Sequence, residues 1–305
     1  MTQIHIPVLC EEVLEWLVTR RDGIYVDATV GAGGHASSLL EQLDDSATLV
    51  GIDADAEILD IASNRLRDFP QEILLAETNF SHLGAVLRKQ ALTPIDGLLM
   101  DLGLSSLQID SPERGFSYME EGPLDMRFST SATETAAKFI NNADEETIAT
   151  IIKEYGEERY AKSIARSIIT NRPMETTTDL RAAIEAVTPK PYRIKTLARV
   201  FQSIRIHVNR ELELLQQTLE SAVPLLRPGG RIVVIAYHSL EDRIVKQFFR
   251  KEESDCVCPP ELPICVCDKE QTMRVLTSGV VKPSEEETDK NPRARSARLR
   301  AAEKV

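Results

Sequence analysis

The sequence predicts an α/β protein on an open, mostly parallel, doubly wound sheet, with a helical domain inserted between the fourth and fifth strands. Three observations carry this. A complete βαβ unit with a glycine turn occupies Ile24 to Asp53. Short apolar runs then alternate with helix-period segments as far as Gly103, the pattern of a sheet covered on both faces. The next recognisable strand, Arg231 to Ala236, follows only after more than a hundred residues, far beyond one crossover helix.

The βαβ unit reads as a strand (Ile24 to Ala28), a turn with Gly31, Gly33 and Gly34, a helix (His35 to Leu43) and a strand (Thr48 to Ile52) tipped by Asp53. Glycines at a strand mouth let backbone approach a ligand, and an acid about twenty residues on can meet ribose hydroxyls. A nucleoside-containing cofactor is therefore expected. Ala36 stands where a dinucleotide fingerprint has its third glycine, which NAD would tolerate. Asp27 decides differently: at the end of the first strand a carboxylate repels a pyrophosphate and accepts from a cationic amino group, as in S-adenosylmethionine. The bland alternative for the glycines is a tight strand-to-helix turn.

The 305 residues are 42% hydrophobic and 28% charged, ordinary for a soluble globular chain. No apolar run is long enough to span a membrane and no signal pattern opens the sequence, so a cytoplasmic location is expected, with the five cysteines as thiols or metal ligands. The net charge of −12 disfavours a uniformly basic nucleic-acid binder. Yet Arg159 to Arg210 holds eleven basic residues against three acids, and Asn291 to Val305 five against one. The rest of the chain is strongly acidic, so one side can face a polyanion; solvated helix faces are the alternative.

In chain order, an amphipathic helix follows Pro7, with His5 ahead of it as a surface or packing residue. Ala56 to Arg67 is helical, and Ile73 to Ala76 a buried strand followed by Phe80, which can flank an adenine or cap the core. Leu83 to Leu92 is helical, and Ile95 to Gly103 is the fourth strand, carrying Asp101. First and fourth strands are neighbours at the switch point of such a sheet, so Asp101 should open into a cleft between cofactor and substrate, because an unpaired buried carboxylate costs too much. Helical patterns follow near Ala132 to Asn141, Glu145 to Tyr155, Glu158 to Thr170, Thr178 to Val187 and Lys195 to Ile204, then Asn209 to Leu226, stopped by Arg227-Pro228-Gly229-Gly230. The expected organisation is 1–103 and 209–305 for the core, with 104–208 inserted. The fifth strand leads to Tyr237, His238 and Ser239 near Asp101, with Ser239 also suited to cap the next helix. Cys256, Cys258, Cys265 and Cys267 form C-x-C-x6-C-x-C among Pro259, Pro260 and Pro263. Four thiolates can hold structural zinc, but C-x-C is weaker than C-x-x-C, so reduced cysteines are the leading expectation and no metal is assigned. Ser284 to Asp289 is an acidic surface stretch, and Arg293 to Ala301 suits an edge strand or an RNA-facing tail.

HIPVLCEE (His5 to Glu12), DATVGAGGH (Asp27 to His35), DLGLSS (Asp101 to Ser106), RGFSYM (Arg114 to Met119), GPLDMR (Gly122 to Arg127), YGEER (Tyr155 to Arg159), FQSIRIHVNREL (Phe201 to Leu212), HSLEDRIVK (His238 to Lys246) and NPRARSARLR (Asn291 to Arg300) span almost the whole chain. By these motifs the sequence resembles the RsmH (MraW) family of bacterial methyltransferases acting on the exocyclic N4 of a 16S rRNA cytidine. The resemblance implies a class I (Rossmann-like) S-adenosylmethionine-dependent methyltransferase fold with a helical insertion, a cytoplasmic location and 16S rRNA, in the small ribosomal subunit, as substrate. It places cofactor contacts on Gly33, Gly34, His35, Asp53, Phe80, Asp101 and Gln108; His35 and Gln108 rest on it alone. The cysteine loop lies outside the general family pattern. A homodimer is compatible with the sequence.

Amino-methyltransferases often carry an Asp/Asn-Pro-Pro-aromatic turn after the fourth strand. Here Asp101-Leu102-Gly103-Leu104 stands there, leaving Asp101 or backbone carbonyls to accept the amine's hydrogens and Tyr237, His238 or Ser239 to grip the base; Asp101, His238 and Ser239 are the catalytic candidates. A nicotinamide oxidoreductase shares the βαβ unit but leaves the basic insertion unexplained. A non-catalytic RNA binder leaves Asp27, Asp53 and Asp101 without purpose, and a methyltransferase for DNA or a small molecule is separated only by its substrate.

Overall fold

The computed structural model describes residues 7–256, 258 and 267–305; His5, Cys265, Pro259, Pro260 and Pro263 lie outside the described residues. The chain divides into two compact units, one of Met1–Gly103 with Leu212–Val305, the other of Leu104–Glu211.

The first unit is organised on seven strands: β1 (Ile24–Asp27), β2 (Thr48–Asp53), β3 (Glu72–Glu77), β4 (Ile95–Asp101), β5 (Leu226–Ala236), β6 (Met273–Val275) and β7 (Arg298–Lys304), in the order β3-β2-β1-β4-β5-β7-β6. Strands β1 to β5 pair in parallel, and β7 runs antiparallel between β5 and β6. This is the expected class I methyltransferase sheet. β1 and β4 are neighbours, with Val26 opposite Leu98, so the chain's winding reverses there. Successive side chains serve opposite faces: Leu49 and Leu99 enter one core with Leu17 and Leu39, Val50 and Leu98 the other with Leu87 and Phe249. Burial on both faces explains why these strands read as unbroken apolar runs.

In the first half, α1 (Cys10–Leu17), α2 (Gly34–Leu40), α3 (Ala56–Leu66) and α4 (Leu83–Gln90) cover the sheet. α3 begins where the Asp55 carboxylate accepts from Glu57 N at 3.2 Å, and it buries Ile58, Leu59, Ala62 and Leu66 at helical spacing. The second unit contains α5 (Ser106–Asp110), α6 (Ala136–Asn142), α7 (Glu145–Gly156), α8 (Ala161–Thr170), α9 (Thr177–Val187) and α10 (Arg193–Asn209). They surround a core of their own that includes Ile152, Ile164, Ile184 and Phe201. The chain continues through α11 (Glu211–Ala222), α12 (Ser239–Glu253) and α13 (Glu285–Lys290).

Several boundaries differ from the sequence expectation, each for a local reason. α6 starts at Ala136 rather than Ala132 because the Thr135 hydroxyl caps it, accepting from Lys138 N at 3.1 Å. α8 starts at Ala161 rather than Glu158, whose buried carboxylate accepts from Tyr160 N at 3.0 Å and from the Thr196 hydroxyl at 3.1 Å. α10 runs on past Ile204 until Arg210 turns left-handed at φ 51°. Arg227-Pro228-Gly229-Gly230 is not a helix stop: α11 ends at Ala222, and these residues lie inside β5 beside a register shift at Ile95/Gly97. Arg227 Nε, 2.9 Å from the fully buried Asp96 Oδ1, pins them to the sheet. The Arg293 to Ala301 stretch is neither an edge strand nor a tail: a 3-10 turn, Pro292–Ser296, leads into β7, which is interior to the sheet.

Candidate functional site

At the carboxyl edge of β1, Val30 N donates to Ile52 O and Gly33 N to Val30 O, turning the chain sharply into α2. Gly31 (φ 52°) and Gly33 (φ 78°) are left-handed there, a conformation that costs an L side chain about 1 kcal/mol or more. Gly33 is the N-cap of α2 and offers no side chain, Gly34 opens the helix, and His35 follows, 7% exposed. Asp53 ends β2 with Oδ2 accepting from Gly31 N at 3.0 Å and Oδ1 from Asp55 N at 3.0 Å. Burial raises its carboxyl, opposed by those N–H groups. Thus the glycine turn and the acid, 22 residues apart, are held together by one hydrogen bond.

Asp27 ends β1 almost wholly buried, its Oδ1 accepting from Thr29 N at 3.2 Å. Burial pushes it up to about 7, with the His35 charge and the Thr29 N–H opposing. Burial works against a charged His35 as well, but Asp101, Cys10 and Asp27 outweigh it and hold the imidazole up at about 10. The ring makes no well-formed hydrogen bond among the described residues, and its Nε2 lies 3.5 Å from Asp101 Oδ2, an ion-pair distance. The side chains of Asp101 and Cys10 facing the ring, and after them the charges of Asp101 and Asp27, keep it cationic against burial. Cys10, the first residue of α1, faces the same ring: burial raises its thiol, yet His35 and Ser38 hold it below its ordinary value.

Asp101 ends β4. Its side chain is 24% exposed and held on two sides, by His35 and by the Tyr237 hydroxyl, which donates to Oδ1 at 2.9 Å. Its backbone N donates to the Thr29 hydroxyl at 2.6 Å, tying the ends of β1 and β4. Tyr237 follows β5 directly; burial and the Asp101 charge hold its phenol well above its ordinary value. The cap of α12 is His238, not Ser239: His238 and Glu241 form a reciprocal box, with Glu241 N donating to His238 Nδ1 at 3.4 Å and His238 N donating to Glu241 Oε2 at 3.2 Å, and the same Oε2 also accepts from Tyr237 N at 2.9 Å. His238 Nε2 lies 3.1 Å from Glu241 Oε1. His238 is thus committed to the turn that carries Tyr237, and Ser239 is the first helical residue.

Phe80 opens a 3-10 turn after β3, half-buried against the core containing Leu83 and Leu87. Gln108 belongs to the second unit, where it forms a capping box of α5: its Oε1 accepts from Ser105 N at 3.1 Å and its N donates to Ser105 Oγ at 3.2 Å. The site in the first unit thus joins Gly33, Gly34, His35, Asp53 and Asp101 with Asp27 and Tyr237, and adds Cys10, which lies in the HIPVLCEE motif but to which the sequence assigns no role. Other motifs are structural. Asp242 of HSLEDRIVK receives Arg300 Nε at 2.6 Å and Arg298 Nη1 at 3.2 Å, both from NPRARSARLR. In GPLDMR, Arg127 grips Asp125 through Nε at 2.7 Å and Nη2 at 2.8 Å. In FQSIRIHVNREL, Asn209 accepts from Phe128 N and donates to Met126 O, each at 2.8 Å.

These residues fit S-adenosylmethionine. A left-handed turn free of side chains leaves room for backbone to approach, and Asp53, with about four lone-pair directions, can accept ribose hydroxyls beside its two N–H bonds. Asp27 provides a carboxylate for a cationic amino group. A pyrophosphate would meet three carboxylates, Asp27, Asp53 and Asp101, with His35 as counter-charge. Among the described residues no helix is long and apolar enough to cross a membrane.

Residues 2–305 match the model of the MraW methylase family. The chain is 47% identical over 302 residues to ribosomal RNA small subunit methyltransferase H of Dehalococcoides mccartyi strain BAV1, covering 99% of this chain and 86% of that one. It is 48% identical over 306 residues to the protein of the same name from Carboxydothermus hydrogenoformans, covering 99% and 98%. With the glycine turn, the paired acids and the strand order in place, and with a match from end to end, the chain belongs to the MraW methylase family.

Proposed function

We propose that this methyltransferase transfers the methyl group of S-adenosylmethionine to the exocyclic N4 of a cytidine in 16S rRNA, within the small ribosomal subunit. The observation that carries the reading is Asp101, held between His35 and the Tyr237 hydroxyl at the point where β1 and β4 part. The cofactor supplies an electrophilic methyl group on a sulfonium. Asp27 and Asp53 bind its amino group and ribose, and the turn at Gly33 and Gly34 admits it. A cytidine N4 lone pair is delocalised into the ring, so the site must orient it. Asp101 does this by accepting a hydrogen bond from the amine, and it receives the proton the nitrogen sheds once positively charged. His35 and Tyr237 are positioning residues for that carboxylate, and with His238 held in the cap of α12, Tyr237 or Ser239 lies against the base.

The helical unit supports an RNA substrate. Exposed Arg159 lies over Tyr160 at 4.7 Å and over Tyr192 at 4.2 Å, and Tyr192 is 46% exposed. Such an arginine–aromatic platform, in the segment with the basic excess, suits phosphates and unstacked bases. A cytidine must leave its stack to be methylated, which favours a loop target.

The test is methyl transfer from labelled S-adenosylmethionine to small subunits and to free 16S RNA from cells lacking the protein, with nucleoside analysis. Label in N4-methylcytidine is expected, with Asp101→Ala abolishing transfer at saturating cofactor. Label in another nucleoside sinks the substrate reading, and normal turnover of Asp101→Ala sinks the role of Asp101.

A further inference from the structure

Methyl transfer uses none of the thiols that follow α12. Cys256, Cys258 and Cys267 present Sγ atoms all within 4.8 Å of one another, and Cys256 Sγ and Cys267 Sγ are 3.9 Å apart. We propose that these three thiolates form a structural zinc site. Zinc–sulfur bonds of about 2.3 Å in a tetrahedron set sulfurs about 3.8 Å apart, whereas a disulfide demands about 2.05 Å. The observed separation is that of two ligands of one ion. Cys258 N donates to Cys256 Sγ at 3.4 Å, and Cys256 N donates to Ser254 Oγ at 3.2 Å. An N–H aimed at sulfur stabilises the thiolate and orients it, the outer contact that metal-bound sulfur ordinarily has. Sulfur donors select zinc over magnesium or calcium, and three leave one tetrahedral corner for a fourth donor.

The base of the loop is closed without the metal. Thr272 N donates to Glu252 O at 3.0 Å and Val275 N to Glu253 Oε1 at 2.9 Å, joining the end of α12 to β6. The ion would thus clip a loop whose ends already meet, a small preorganised task. Its distance from the chemistry follows from topology. α12 starts at the carboxyl edge of β5 and, over 15 residues, rises about 22 Å. β6 starts at the opposite edge, being antiparallel to β7 as β5 is. The clip sits there, some 20 Å from Asp101 by helix rise, so it holds the edge strand β6 in place and takes no part in methyl transfer.

The full chain, purified reduced from zinc-supplemented cells and dialysed, should carry about one zinc per molecule by mass-spectrometric metal analysis. Cobalt exchanged into it should show a thiolate-to-cobalt charge-transfer band with tetrahedral d–d bands. Strong chelation should expose at least three further thiols to a thiol reagent and lower the melting temperature by several degrees, restored by zinc. Cys258→Ser should lose at least tenfold in zinc affinity while still binding S-adenosylhomocysteine; were it not to fold, the wild-type thiol and cobalt measurements decide alone. Zinc below about a tenth of an equivalent after loading, cobalt without the charge-transfer band, or a disulfide among these cysteines in the reduced protein would overturn the proposal. None of these readouts depends on the methyl acceptor.

Discussion

Cofactor-site affinity should weaken by roughly tenfold between about pH 8 and about pH 6, and Asp27→Asn should remove that dependence. Burial places the Asp27 carboxyl at about 7, while His35, the cation facing it, stays charged with a value of about 10. Asp53 and Asp101 are the other charged groups around it. The ionised fraction of Asp27 therefore climbs from about a tenth to about nine-tenths over those two pH units, about 1.4 kcal/mol of linkage. A ligand ammonium needs the ionised form, so binding below pH 7 must displace the Asp27 proton. S-Adenosylhomocysteine, which keeps the ammonium, can be titrated calorimetrically at both pH values in two buffers of different ionisation enthalpy. Proton release should approach one per site at the acid end and vanish in Asp27→Asn. Stability separates lost binding from unfolding. A carboxyl raised in the fold above its ordinary 3.8 contributes stability that is full below that value and lost as pH rises through about 7. At about pH 8 the ligand-free Asn variant should thus melt no lower than wild type. A flat wild-type profile, or an Asn variant with the same slope, refutes the reasoning.

Three further outcomes can be measured. Tyr237→Phe deletes the hydroxyl on Asp101 and should cost about 2 kcal/mol, since hydrogen bonds to charged groups contribute about 1.5–3, lowering the melting temperature by a few degrees and methyl transfer by more than cofactor affinity; unchanged turnover would exclude a positioning role. Asp242→Ala strands Arg298 and Arg300 and should cost about 2–4 kcal/mol in denaturant unfolding. Although burial opposes it, Arg300 and Arg298 hold the Asp242 carboxyl below its ordinary value, so its contribution is full above about pH 4 and lost as pH falls further; the variant should show less acid destabilisation than wild type. Arg159→Glu should weaken RNA binding several-fold and flatten its salt dependence while leaving S-adenosylhomocysteine affinity unchanged; equal RNA affinity in filter binding would remove Arg159 from the interface.

The motifs also explain one another once folded. Asp242 of HSLEDRIVK joins Arg298 and Arg300 of NPRARSARLR across more than fifty residues, so two of the basic C-terminal residues tie β7 to α12 rather than facing a polyanion. Glu158, Asp125, Arg127 and Asn209 likewise close backbone turns within the helical unit.

The sequence by itself determined what depends on near neighbours. The βαβ unit, the glycine turn, the strand-end acids Asp27, Asp53 and Asp101 and the inserted helices are legible because strand and helix periods, φ-permissive residues and caps act over a few positions. Only the tertiary structure decided what depends on winding. Asp101 meets Tyr237 across 136 residues; α1 brings Cys10 to His35; the cap of α12 falls on His238; and a basic C-terminal segment becomes an interior strand. A carboxylate's partners and a strand's neighbours are set by which chain ends the sheet brings together, and no local pattern encodes that.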